Sequence, residues 1–355
     1  MTRSTPTVAA LVTAAVVLTS VRGQNAVTLQ PVQDTTLYED ATGARANGSG
    51  GRVFVGLNSQ GLTRRAILQF DVAGALPAGA VILTADLDLF VEQSSATGVD
   101  LAFAHRVTAS WQEGSVVAPG SGGGGGPSVA GESTWLHRDF PAVLWGNPGG
   151  DFEPVASFSF GMPLSGAASS GPSQNLVEDL DYWLANPGNN HGWLLKTDEA
   201  NAGTARRIRS RESSNAPPSL TITFLLPGEV AAFGGDGCDV NGAPFSLGLS
   251  GSATGGQSVA FAYSSGTPNG IGASYFSLDL DVVGTPLFAG CLQYLPMGQP
   301  VIAGSLFLTD AAGAANSALA LPPNAPGFLV VVQGAVVVPT ALGFALSNAG
   351  VMLTQ

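Results

Sequence analysis

Apolar positions along this chain recur with the period of a strand far more often than with that of a helix. In Ala85-Asp86-Leu87-Asp88-Leu89 acids and apolar residues alternate strictly, which gives a strand one dry face and one wet face. Further strand-length runs, apolar or alternating, occupy 52–57, 65–71, 81–91, 100–107, 192–197, 205–209 and 220–225. After Pro227-Gly228 they resume at 243–249, 259–263, 276–283, 301–308 and 328–338. A single stretch reads differently. Leu176, Val177, Leu180, Trp183 and Leu184 form one apolar stripe at helical spacing, with Ser173 available as N-cap and Asn186-Pro187-Gly188 as a stop. The pattern predicts an all-β protein with one short helix, divided at Pro227-Gly228.

Composition supports the division. The 48 glycines and 23 prolines in 355 residues suit many turns and exclude a coiled coil, because both residues break helices. With 45% apolar and only 11% charged residues, the chain is not a solvated disordered one. Its net charge of −12 makes it a poor partner for nucleic acid or an anionic bilayer. Residues 1–211 carry all 13 bases against 18 acids, whereas 212–355 carry seven acids and no base. That change falls near Pro227-Gly228 and points to two modules.

Met1-Thr2-Arg3 followed by the uncharged stretch 8–18 predicts an export signal, with cleavage after Gly23. The stretch is shorter than the ~20 apolar residues that a spanning helix needs. The chain has two cysteines, Cys238 and Cys291; an even count in an exported protein predicts a disulfide. No histidine follows His191, so a thiolate metal site is excluded. No charge follows Asp310, but Gln333, Pro339 and several glycines interrupt the C-terminal apolar run, which reads as buried sandwich strands rather than an anchor. The glycine-rich segment 120–127 reads as a flexible surface loop. The expected organisation is a signal at 1–23, a first module at 24–226, a linker at 227–233 and a disulfide-bridged module at 234–355.

Several strings carry a resemblance. Asp34-Thr35-Thr36-Leu37-Tyr38-Glu39-Asp40 with Asn47-Gly48, and Arg64-Arg65-Ala66-Ile67-Leu68-Gln69-Phe70-Asp71, are followed in order by Trp111-Gln112-Glu113-Gly114, Thr134-Trp135 and Trp145 with Gly149-Gly150-Asp151. Gly192-Trp193-Leu194-Leu195, Arg209-Ser210-Arg211-Glu212 and Pro218-Ser219-Leu220-Thr221 complete the series. Over about 30–226 the chain resembles the DNRLRE domain of secreted bacterial and archaeal proteins. The resemblance implies a jelly-roll β-sandwich of the carbohydrate-binding-module type, followed here by a second, smaller β-sandwich. The second module resembles a C-terminal domain of secreted environmental bacterial proteins, through Gly235–Cys238, Gly242-Ala243-Pro244, Gly290-Cys291 and Ser347-Asn348-Ala349-Gly350.

The residues offer no catalytic motif. G-x-S-x-G and H-E-x-x-H are both missing, and His105, His137 and His191 are scattered. Asp86 and Asp88 are a carboxylate pair of the kind a glycosidase uses, but on a wet strand face they read as solvated. For sugar binding the candidates are Trp111, Trp135 and Trp145, which sit in or beside loops and compete with a reading as core. Arg64, Arg65, Arg209 and Arg211 are candidates for a uronate carboxylate, with Arg207, Arg209 and Arg211 expected on one strand face. The competing reading pairs them internally with Asp71, Glu212 or Asp198. Asp34, Glu39 and Asp40 are candidate calcium ligands, in competition with turn capping. The expectation is a secreted or cell-surface, non-catalytic protein that binds extracellular polysaccharide or matrix, with no membrane span in the mature chain. The alternatives are a structural exoprotein or adhesin with protein partners, and a polysaccharide-degrading enzyme.

Overall fold

The computed structural model describes residues 18–21, 23–288, 290–338 and 343–355. Most of the expected export signal lies outside the described residues; its last part, Leu18–Val21, pairs antiparallel with Gln24–Leu29.

The first module is a twelve-stranded sheet that curls into a jelly-roll β-sandwich. Strand Arg52–Leu57 carries the sheet from one layer to the other. Its first four residues pair with Arg206–Arg209, while Gly56 and Leu57 pair with Arg64 and Thr63. Gly56 has φ +105°, and a Cβ there would lie 2.8 Å from the Thr204 carbonyl oxygen, so only glycine serves at this turn between layers. One layer runs through Gln24–Leu29, Ser219–Leu225, Val81–Ser94 and Arg206–Arg209. The other centres on Thr63–Gln69, paired with Gln33–Tyr38 and Trp193–Lys196, and continues through Asp100–Arg106 to Phe158–Met162. Between them Leu68, Leu87, Trp193, Ile208 and Ile222 are buried.

The helix forms at Gln174–Ala185 and buries Leu176, Val177, Leu180 and Trp183, as the stripe predicts. Ser173 holds the N-cap position without a side-chain hydrogen bond. Trp193 donates its indole N–H to Asp179 Oδ2 at 2.6 Å, which ties the helix to the sheet. A second helical turn, Val72–Ala75, is capped by Asp71, whose Oδ1 accepts from the Gly74 amide at 2.9 Å. Among the described residues no helix is long and apolar enough to cross a membrane.

The second module is also a sandwich. A five-stranded sheet runs Val230–Phe233, Phe344–Leu353, Leu329–Val337, Ile271–Ser277 and Ile302–Leu308. A three-stranded sheet of Ser246–Gly251, Ser258–Ser264 and Ala314–Ala320 completes it, around Phe245, Phe261, Tyr263, Val332 and Met352. Cys238 and Cys291 are disulfide-bonded, with Cα atoms 4.4 Å apart.

Two expectations need correction. Segment 227–233 is not a loose tether, because Val230–Phe233 is a strand of the second sheet, and Ala231 and Phe233 share one buried cluster with Val27 and Leu225. The glycine-rich segment 120–127 is held down. The Tyr38 hydroxyl donates to the Gly122 carbonyl at 2.8 Å, Arg64 Nε donates to the Gly123 carbonyl at 3.2 Å, and Gly126–Pro127 pairs with Arg45–Ala46.

Candidate functional site

Alternation along Val81–Ser94 buries Leu83, Ala85, Leu87, Leu89 and Val91 and turns Thr84, Asp86, Asp88, Phe90 and Glu92 outward. Strand register then decides what surrounds Glu92. Ile208 lies opposite Val91 on one side of its strand, and Arg209 lies opposite Arg52 on the other. Three guanidiniums therefore converge on one carboxylate. Arg52, Arg207 and Arg209 place Nε 2.6, 3.1 and 3.4 Å from the Glu92 oxygens. Arg209 also lies over the Phe90 ring, its guanidinium carbon 3.9 Å from the centroid.

Burial by itself would raise the Glu92 carboxyl, but hydrogen bonds and charge from the arginines hold it below the ordinary range. One carboxylate against three guanidiniums leaves two positive charges on the cluster. The side chains remain accessible, at 41% for Arg52, 25% for Arg207 and 16% for Arg209. Among the described residues, none of their Nη atoms donates a hydrogen bond to the protein. Such groups can take a planar anion in bidentate fashion, beside an aromatic ring.

The same accounting of guanidinium hydrogen bonds separates the other arginines from this site. Arg64 is buried under the glycine-rich loop, donating to the Gly123 and Thr63 carbonyls. Arg65 forks onto Glu199 at 2.7 and 2.9 Å and gives Nη1 to the Gly149 carbonyl. Arg211 lies beyond its strand, forks onto Glu113 at 2.6 and 2.7 Å, and does not share a face with Arg207 and Arg209. Of the candidate internal partners, Glu212 pairs with Arg211 at 3.0 Å. The remaining partners, Glu92, Glu113 and Glu199, come from distant strands and loops.

The tryptophans also belong mainly to the fold. Trp111 and Trp145 are 4% and 5% exposed, and their indole N–H groups donate to the His191 and Thr134 carbonyls. Trp135 is partly buried, with the Arg65 guanidinium 4.9 Å from its ring centroid. None of the three presents an uncovered ring. Phe90, Arg52 and Glu92 were not singled out in the sequence. The outward alternation of Asp86 and Asp88 extends to Phe90 and Glu92, but Arg52 joins them only through pairing with Arg209, 157 residues away.

Asp34, Glu39 and Asp40, candidates for calcium ligands or for turn capping, each accept hydrogen bonds from backbone amides. Asp34 Oδ2 accepts from the Arg211 amide at 2.7 Å, Glu39 Oε2 accepts from the Thr63 amide at 2.7 Å, and Asp40 Oδ1 accepts from the Thr42 and Ala44 amides. Among the described residues no group of three His, Cys, Asp or Glu side chains is arranged to hold a metal ion. Asp34 is 1% exposed, and its Oδ1 is buried without a hydrogen-bond partner. Burial first, then the Glu212 charge, pushes its carboxyl well above the ordinary value. A raised carboxyl costs nothing below the unfolded pKa of ~3.9 and destabilises progressively as pH rises toward the folded value. Asp34→Asn is therefore expected to match the parent near pH 4 and melt higher than it at pH 8. A variant that melts lower at pH 8 would contradict this account.

Residues 25–117 match the family model of Carbohydrate-binding module family 96. The match covers the strands from Gln24–Leu29 to Asp100–Arg106, including those that carry Arg52, Phe90 and Glu92. No curated protein matches the chain. The first module is carbohydrate-binding-module-like, in its sandwich fold and in this match.

Proposed function

We propose that this is a non-catalytic polysaccharide-binding protein of the extracellular space or cell surface, and that its first module holds acidic glycans at Arg52, Arg207, Arg209 and Phe90. The observation that carries the reading is the set of three guanidiniums around one carboxylate, with Nη groups that lack an acceptor among the described residues. A uronate or sulfate group would meet those donors, with the Arg209 guanidinium held in place over the Phe90 ring. The family match over residues 25–117 supports carbohydrate as the ligand class. The disulfide suits an oxidising compartment outside the cytosol.

Titration of the full chain with alginate- or pectin-like polymers tests the proposal. Arg209→Ala and Arg52→Ala are each expected to weaken binding about tenfold, a loss of ~1.4 kcal/mol, with the melting temperature nearly unchanged. Glu92→Gln is expected to act in the opposite direction, because it removes the carboxylate that competes with the ligand. Affinity should fall as salt rises, since exposed charges are screened beyond ~10 Å at 0.1 M. Unaltered affinity in the arginine variants, or equal binding of a neutral glucan, would remove this site from the proposal. Release of reducing ends from the polymer would overturn the non-catalytic assignment.

A further inference from the structure

The five-stranded sheet of the second module has two apolar faces. Val332 and Met352 point toward the three-stranded sheet, whereas Val331 and Val351, one position along, close the core shared with the first module. That second face stays apolar beyond the first module's reach. Leu306 and Leu308 are 77% and 71% exposed, and Ile271 and Val337 are each more than half exposed. Beside them lies a cavity of about 430 Å³, lined at Ala273 and Ala335 by small side chains. Strand Ile302–Leu308 ends the sheet, paired among the described residues only with Ile271–Ser277.

We propose that this face is the contact between two copies of the chain, with the Leu306–Leu308 ridge of each copy seated in the other's groove. The first reason is area. Together with Val301, these side chains expose on the order of 500 Å² of surface, more than half of the ~800 Å² per partner of a stable interface. The second reason is charge. No charged residue lies between Asp281 and Asp310 or after Asp310, so two chains of net charge −12 can meet here without bringing acids together.

The third reason concerns polar groups. The amides lining the groove are already used: Gln333 Nε2 donates to the Leu292 and Ser347 carbonyls, and Gln293 Nε2 donates to the Leu295 carbonyl. Those amide donors are therefore not free to orient a small ligand, whereas an uncharged apolar protein surface needs none. Ridge and groove lie side by side on one surface, so a single twofold axis satisfies both at once.

Sedimentation of the full chain from about 1 to about 100 µM tests this, a range that brackets the affinity such an area supports. The parent is expected to form a dimer that dissociates on dilution. The double variant Leu306→Glu/Leu308→Glu is expected to be monomeric with an unchanged melting temperature, since both side chains are already mostly in solvent; Leu306→Met should retain the dimer. A parent that is monomeric at the highest concentration, or a double variant that still dimerises, overturns the proposal.

Discussion

Arg206→Met is expected to destabilise the first module by ~3–5 kcal/mol, against less than ~1 kcal/mol for Arg209→Met three residues along. Arg206 is fully buried. Its guanidinium donates to the Met162, Thr204 and Gly98 carbonyls and pairs with Asp100. Asp100 is about a third exposed and can rehydrate when the arginine is lost. Of the three carbonyls, that of Met162 is left buried without its donor, which costs ~1–3 kcal/mol, and the partly buried Thr204 and exposed Gly98 carbonyls lose charge-assisted bonds besides. Arg209 gives up only one of three contacts to a partly solvated Glu92, which Arg52 and Arg207 continue to neutralise. Calorimetric melts of the two variants check the contrast. Equal losses would mean that burial does not separate structural arginines from binding ones in this strand.

Opening the disulfide should have a comparable effect on the second module. The bridge spans 53 residues of sequence, and the chain-entropy relation gives ~4 kcal/mol for a loop of that size. Cys238→Ala/Cys291→Ala, or reduction of the parent, is expected to lower the second module's melting transition. A fragment starting near Gly228 is expected to fold by itself, because Phe245, Phe261, Tyr263, Val332 and Met352 give it a core of its own. It should nevertheless melt below the same module in the full chain. Phe233, Val282, Tyr294 and Val351 would lose the cover they take from the first module. Trypsin offers a direct route, since no lysine or arginine follows Arg211. A fragment without a cooperative transition, or one indifferent to reductant, would contradict the account.

Local pattern settled a good deal of this protein. Strict alternation at 85–89 fixed which face of Val81–Ser94 is dry, and the stripe from Leu176 to Leu184 located the helix within two residues. These features depend on side-chain periodicity within one element, which the order of residues contains in full. The disulfide was legible for a different reason, because two cysteines allow only one intramolecular pairing.

The site was legible only in fragments. Arg209 was visible as part of a rare basic run, yet Arg206, Arg207, Arg209 and Arg211 look alike in sequence and serve different ends. Arg206 points into the sandwich, Arg207 and Arg209 point outward to Glu92, and Arg211 turns away to Glu113. Trp111 and Trp145 sat in loops by composition, but those loops fold over Leu37, Ile67 and Leu194 to make a small core. Composition likewise gave the glycine-rich segment no anchor, because Tyr38 and Arg64 reach it only once the strands that carry them have paired.

Sequence alone thus determined the elements, their dry faces and the cysteine pair, all of which follow from neighbours along the chain. Tertiary structure decided which of several similar arginines faces solvent, which carboxylate it meets, and how far the two modules share a core. Those outcomes depend on strand register between segments more than a hundred residues apart, and a slip of one residue in that register would turn each of these side chains to the opposite face.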